Sequence, residues 1–187
     1  RRNYIYRQGE KGPIICWPYL AHDEQSISRI YGALAKADIK QDFFLILVEI
    51  KEEEWRTVLS PWPAKGVDGR SDFAGEGHIF NNDDFRWIRV SVKVSFPTFD
   101  EGTYIVGYSL AGLFALWAFY ETKQFDGVAA CSGSLWYEGW MKYMETASAK
   151  GNSLVYLSYG GKEPNTDNPV LKTIGECYKQ QYTLRHM

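Results

Sequence analysis

Histidine is scarce in this sequence: His22, His78 and His186 are the three groups among 187 residues that titrate near neutral pH. Cysteine is equally scarce, with Cys16, Cys131 and Cys177 scattered and no CxxC or Cys/His pair at metal-binding spacing. That excludes a disulfide framework and a zinc site, and no metal is expected. Three unpaired thiols fit a reducing compartment, so a cytoplasmic location is expected. The net charge of −2 supplies no basic field, which excludes nucleic acid and acidic membrane surfaces as partners. The longest apolar run is too short to span a bilayer, and the opening RRNYIY holds neither an initiator Met nor a signal-peptide core.

What is present is the composition of a globular protein. Apolar residues make up 45% and charged residues 24%, which places residues 1–187 in a single domain with a sizeable core. Aromatics are abundant at 16%, with seven Trp; such rings usually fill the core, and a surplus can also line a pocket.

Short β-rich runs alternate with helical stretches. PIICW (13–17), FFLILVEI (43–50), GTYIVGYS (102–109), DGVAACSG (126–133) and SLVYLSYG (153–160) read as strands. FFLILVEI is apolar throughout, as in a strand covered on both faces. Residues 23–37 read as a helix, with Asp23 as N-cap and Ile27, Ile30, Tyr31 and Leu34 on one face. Strands alternating with helices imply βαβ units, hence an α/β fold with a mostly parallel sheet and helices on both faces. Residues 51–77, rich in Gly and Pro, and residues 162–169 read as loops. WIRVSVKVSF (87–96) fits two periods. Its strict alternation suits a strand, while Phe85, Ile88, Val92 and Phe96 share one helical face. A crossover between the parallel strands at 43–50 and 102–109 requires a helix in this interval, which favours the helix.

GYSLAG (107–112) lies between a β-run and LAGLFALWAFY (110–120), a helix apolar nearly all round and therefore buried. A nucleophile elbow strains the serine backbone and admits only small residues two places before and after it. Gly107 and Ala111 fill those places around Ser109, although glycine is usual at the second. A bland alternative is a small-residue turn with Ser109 as helix N-cap.

GYSLAGLFALWAFYETKQFDGVAACSGSLWYEGW (107–140) resembles the esterase branch of the α/β-hydrolases that is related to esterase D and the siderophore esterases. SPWPA (60–64) and VYLSYGGKE (155–163) are similar to segments of the same group in the same order. The resemblance implies a three-layer α/β-hydrolase sandwich. It also implies hydrolysis of small acyl esters through an acyl-enzyme on Ser109, a small-molecule ester as partner and no cofactor. One oxyanion donor would be the backbone N–H of Leu110. The other would come from WPYLAH (17–22), where Pro18 has no N–H and Trp17 or Tyr19 is left. The acid would stand in GGKEPNTD (160–167), as Glu163 or, second, Asp167. Trp136, Tyr137 and Trp140 could form an acyl or alcohol pocket, or simply pack in the core.

The base is the difficulty. In this fold the order is Ser, acid, His, and His22 and His78 precede Ser109. His186 has the right order, but the family's His follows a further helix and strand, in a segment reading roughly Gly-x-His-Phe. Here a single helix at 168–184 precedes RHM, so the last strand and the His segment are expected to be missing. Three expectations stand: a chain truncated relative to its family, a tail that supplies His186, or a catalytically silent scaffold that binds a small ligand or protein partner. Without a base, turnover would fall by about 10²–10⁴-fold.

Overall fold

The computed structural model describes residues 2–20, 25–67, 69–149 and 151–185, with residues 184 and 185 described by backbone alone. Six strands form one sheet in the order β1-β3-β2-β4-β5-β6. They are β1 (Asn3–Gln8), β2 (Ile14–Leu20), β3 (Phe43–Ile50), β4 (Thr103–Tyr108), β5 (Gly127–Cys131) and β6 (Leu154–Ser158). β1 runs antiparallel to β3, and the other neighbours are parallel. The five strands read from the sequence are therefore in place, and β1 is an addition.

The sheet buries both faces because β3 is apolar on both. Phe44, Ile46, Val48 and Ile50 face one core, which α5 (Leu110–Thr122) fills together with α4 (Arg86–Ser95). Phe43, Leu45 and Leu47 face the other, covered by Ile27, Ile30, Tyr31 and Leu34 of α1 (Ser26–Lys36). That is the expected face of the first helix, while its expected cap, Asp23, lies outside the described residues. Residues 87–95 lie in helix α4, which ends before Phe96, with Phe85, Ile88 and Val92 buried and the alternating Val90 and Val94 exposed. The crossover requirement prevailed over the strand-like alternation. A short helix, α3 (Gly77–Ile79), and a π-helical segment, Phe80–Phe85, lead into α4. Phe80 and Phe85 meet edge to face at 5.3 Å between ring centres and reach Phe114 of α5, which seats the whole run on the core.

Residues 51–77 are only partly a loop. Their first segment is α2 (Glu52–Val58), whose three glutamates in the first turn favour the positive end of the helix. The remainder is pinned by an Ala64–Phe73 bridge, by Ser60 Oγ accepting from Gly75 N–H at 2.8 Å, and by Trp62 Nε1 donating to the Glu138 carbonyl at 2.8 Å. After β5 come α6 (Trp140–Met144) and, beyond β6, a 3₁₀ turn (Leu171–Thr173) leading into α7 (Ile174–Arg185). Among the described residues no helix is long and apolar enough to cross a membrane, and no cluster of His, Cys, Asp or Glu could hold a metal ion.

Candidate active site

The sheet order places a crevice where successive connections leave β2 in opposite directions. From β2 the chain goes to β3 on one side, and β4 is its neighbour on the other. Pairing between β2 and β4 ends at Cys16–Ile105, while both strands continue, β2 to Leu20 and β4 to Tyr108. Ligand sites of open α/β sheets form at such a point, outside the carboxyl ends of the strands. A cleft of about 1290 Å³ opens there, lined among others by Leu20, Ser109, Leu110, Ser132, Trp136 and Glu163.

Ser109 stands between β4 and α5 with φ 58° and ψ −125°. A residue with a Cβ rarely adopts that geometry, and holding it costs on the order of 1–3 kcal/mol. The surrounding backbone enforces it. Ser109 N–H donates to the Cys131 carbonyl at 3.1 Å, and the Ser109 carbonyl accepts from Gly112 N–H at 2.9 Å and Ser134 N–H at 3.1 Å. Helix α5 can turn back this sharply because Gly107 lacks a side chain: a Cβ there would lie 2.0 Å from the Ala111 carbonyl oxygen. Leu110, buried and on the cleft wall, opens α5, so its N–H has no intrahelical acceptor.

Glu163 is on the loop after β6 and lines the same cleft as Ser109, at the expected edge. Its Oε1 accepts from Ser132 Oγ at 2.6 Å and from Gly160 N–H at 2.6 Å, which fixes the carboxylate in one direction. Asp167 is exposed and is not part of the cleft wall, so the second choice for the acid falls away. Ser132, at φ 48°, is a cleft residue the sequence did not single out. Its position directly after β5 is the one signal the sequence offers for it.

Two expectations need correcting. Residues 17–20 are strand, not loop: β2 pairs with β3 as far as Leu20–Ile50. Ile14 N–H donates to the Gly102 carbonyl on the β4 side, while the Pro13 carbonyl accepts from Phe44 on the β3 side. Strand alternation then turns the N–H groups of Trp17 and Tyr19 towards β3, where the ladder uses them. Neither can donate into the cleft. The N–H on the cleft side beyond the β4 pairing is that of Leu20, since Pro18 has none. The aromatic pocket is the second correction. Trp136 is half-buried on the cleft wall, but Trp140 and Tyr137 belong to the core. Trp140 Nε1 donates to Gln181 Oε1 at 3.0 Å, and the Tyr137 hydroxyl donates to the Trp62 carbonyl.

His78 is the one histidine among the described residues; it is exposed and not on the cleft wall. His22 and His186 lie outside the described residues.

The turn beneath the cleft is held from below. Gly133 N–H donates to the Tyr178 hydroxyl of α7 at 2.6 Å, and burial pushes that hydroxyl's pKa well above its ordinary value. Tyr178→Phe removes the acceptor and leaves a buried N–H unpaired, so it should cost about 1–3 kcal/mol. Urea denaturation reads this directly, and an unchanged midpoint would refute the assignment.

No protein-family model and no curated protein matches the sequence. Solved structures do match it. An IroE-like serine hydrolase from Shewanella oneidensis has TM-score 0.73 at 13% identity, over 97% of this chain and 64% of that one. The siderophore hydrolase EstB from Aspergillus nidulans has TM-score 0.64 at 18% identity, over 94% of this chain and 68% of the other. The BES protein from Bacillus cereus has TM-score 0.66 at 16% identity, over 97% and 77%. The chain thus spans about two thirds of the length of the first two. At these identities the likeness is one of fold, and the fold is the α/β-hydrolase fold: a mostly parallel sheet with helices on both faces.

Proposed function

We propose that this chain is the catalytic scaffold of a serine hydrolase that cleaves small carboxylic esters, with Ser109 as nucleophile. The observation that carries the reading is the backbone of Ser109, held at φ 58° and ψ −125° on a strand-to-helix turn that opens on the cleft. Strain of this kind is a marker of function rather than of folding. In the proposed reaction Ser109 Oγ attacks the ester carbonyl as a base takes its proton, and the Leu110 and Leu20 N–H groups receive the developing oxyanion. The alcohol leaves with that proton, and water releases the acid by the reverse sequence. Glu163, fixed by Ser132 and Gly160, is the acid that would orient the base. His186 is the candidate base by chain order.

The test is covalent labelling. A fluorophosphonate should add one phosphonyl group to the peptide containing Ser109, and hydrolysis of 4-nitrophenyl acetate should vanish in Ser109→Ala. Label on another residue, or turnover surviving in Ser109→Ala, would overturn the assignment. The second reading, a silent scaffold, draws on the exposed position of His78 away from the cleft. Under it Ser109 resists the fluorophosphonate while ligands still bind. Activity lost in His186→Ala would instead establish that residue as the base.

A further inference from the structure

Arg56, on α2, has unsatisfied donors in the wall of the cleft. Its guanidinium lies 3.9 Å over the Phe73 ring, and its Nε and Nη2 are buried with no hydrogen-bond partner. Buried donors of a charged group seldom stay unpaired, because each forfeits its hydration without replacement. Asp72 is close enough for its charge to act on Arg56 but does not satisfy these donors: its carboxylate accepts from Lys65 Nζ at 2.8 Å and from Gly66 N–H at 2.9 Å.

A second guanidinium, Arg70, lines the same cleft and is exposed. Burial first, and the like charge of Arg70 second, lower the Arg56 pKa below its ordinary value. Two like charges in one cleft, one of them missing its acceptors, are unfavourable together unless an anion joins them. Guanidinium forks match the two oxygens of a carboxylate, and an aromatic face beneath keeps the fork planar and in place.

We infer that Arg56 and Arg70 form a carboxylate subsite, so that the ester taken by this cleft carries an anionic group on its acyl or its alcohol part. The inference rests on the ester-hydrolase reading of the cleft, and it is tested by binding so that the two can fail separately. In Ser109→Ala, where turnover is absent, calorimetry would compare two matched pairs. One pair is 4-nitrophenyl hydrogen succinate against 4-nitrophenyl butyrate, with the charge on the acyl side. The other is 4-carboxyphenyl butyrate against phenyl butyrate, with the charge on the alcohol side. In at least one pair the anionic ester should bind about tenfold or more tightly than its neutral partner. That preference should disappear when Arg56→Ala is added, shrink in Arg70→Ala, and weaken as salt is raised. Arg70 is on an exposed loop, so its variant keeps the test open even if Arg56→Ala does not fold. Equal affinities in both pairs, no binding of either anionic ester, or a preference that survives both substitutions would overturn the subsite. Loss of hydrolysis in the unsubstituted chain would count against the esterase alone.

Discussion

Gly107→Ala should destabilise the protein by about 3 kcal/mol or more, at or above the top of the ~1–3 kcal/mol that an extra carbon costs in a well-packed interior. The added Cβ would stand 2.0 Å from the Ala111 carbonyl oxygen, 2.3 Å from its carbon and 2.6 Å from Gly112 N. All of these are backbone atoms, so no side chain can swing aside. Helix α5 cannot retreat either. Leu113, Phe114, Ala115, Leu116, Ala118 and Phe119 are completely buried in the main core. At the next glycine, Gly112, an added Cβ would lie 2.9 Å from the Gly133 Cα, so the helix is wedged from the other side as well. For a chain of this size the melting temperature should fall by about 6–12 °C. A melting temperature within a degree or two of the parent would mean that β4 and α5 do not meet as described. Because the same contact sets the Ser109 turn, any folded fraction should also lose ester hydrolysis under the proposed function.

The parts of the fold that were legible in the sequence are those where one physical demand dominates. FFLILVEI must be covered on both faces, and its predicted bounds are those of β3. The pair Gly107 and Ala111 around a serine marks a turn that few other residues tolerate, and Ser109 is at a positive φ there. Helix α4 was legible only through topology, since its exposed Val90 and Val94 imitate a strand. Other elements escaped because the deciding partner is distant in sequence. Proline ordinarily ends a strand, yet Pro18 lies within β2, at a position whose N faces the β4 side after that pairing has stopped. Trp136 and Tyr137 sit on an irregular segment and Trp140 opens α6, so no common period separates wall from core. Only their partners do so: Phe73 and Trp62 come from the segment after α2. Helix α2 and the same segment bring Arg56 and Arg70 to the cleft, which no spacing around Ser109 announces.

Ser109→Gly should do two opposite things at once. Under the proposed function it removes the nucleophile, and hydrolysis should drop by about 10⁴-fold or more, to what the oxyanion donors and binding alone provide. It should also make the protein more stable. At φ 58° and ψ −125° the serine Cβ is crowded against its own backbone, whereas glycine reaches this region freely. Relief of on the order of 1–3 kcal/mol is offset by about 0.4–1 kcal/mol for the greater freedom of glycine in the unfolded chain. A net gain of about 1 kcal/mol remains, or about 2–4 °C in melting temperature. Ser109→Ala separates the two effects, since it deletes the hydroxyl and keeps the Cβ. It should lose the same activity and show no gain in stability. The backbone bonds from Ser109 to Cys131, Gly112 and Ser134 persist in both variants, so neither should reshape the turn. Melting curves of the three proteins side by side decide the matter. If the glycine variant melts at or below the alanine variant, the turn stores no strain, and the geometry at Ser109 is no longer a reason to expect a nucleophile there.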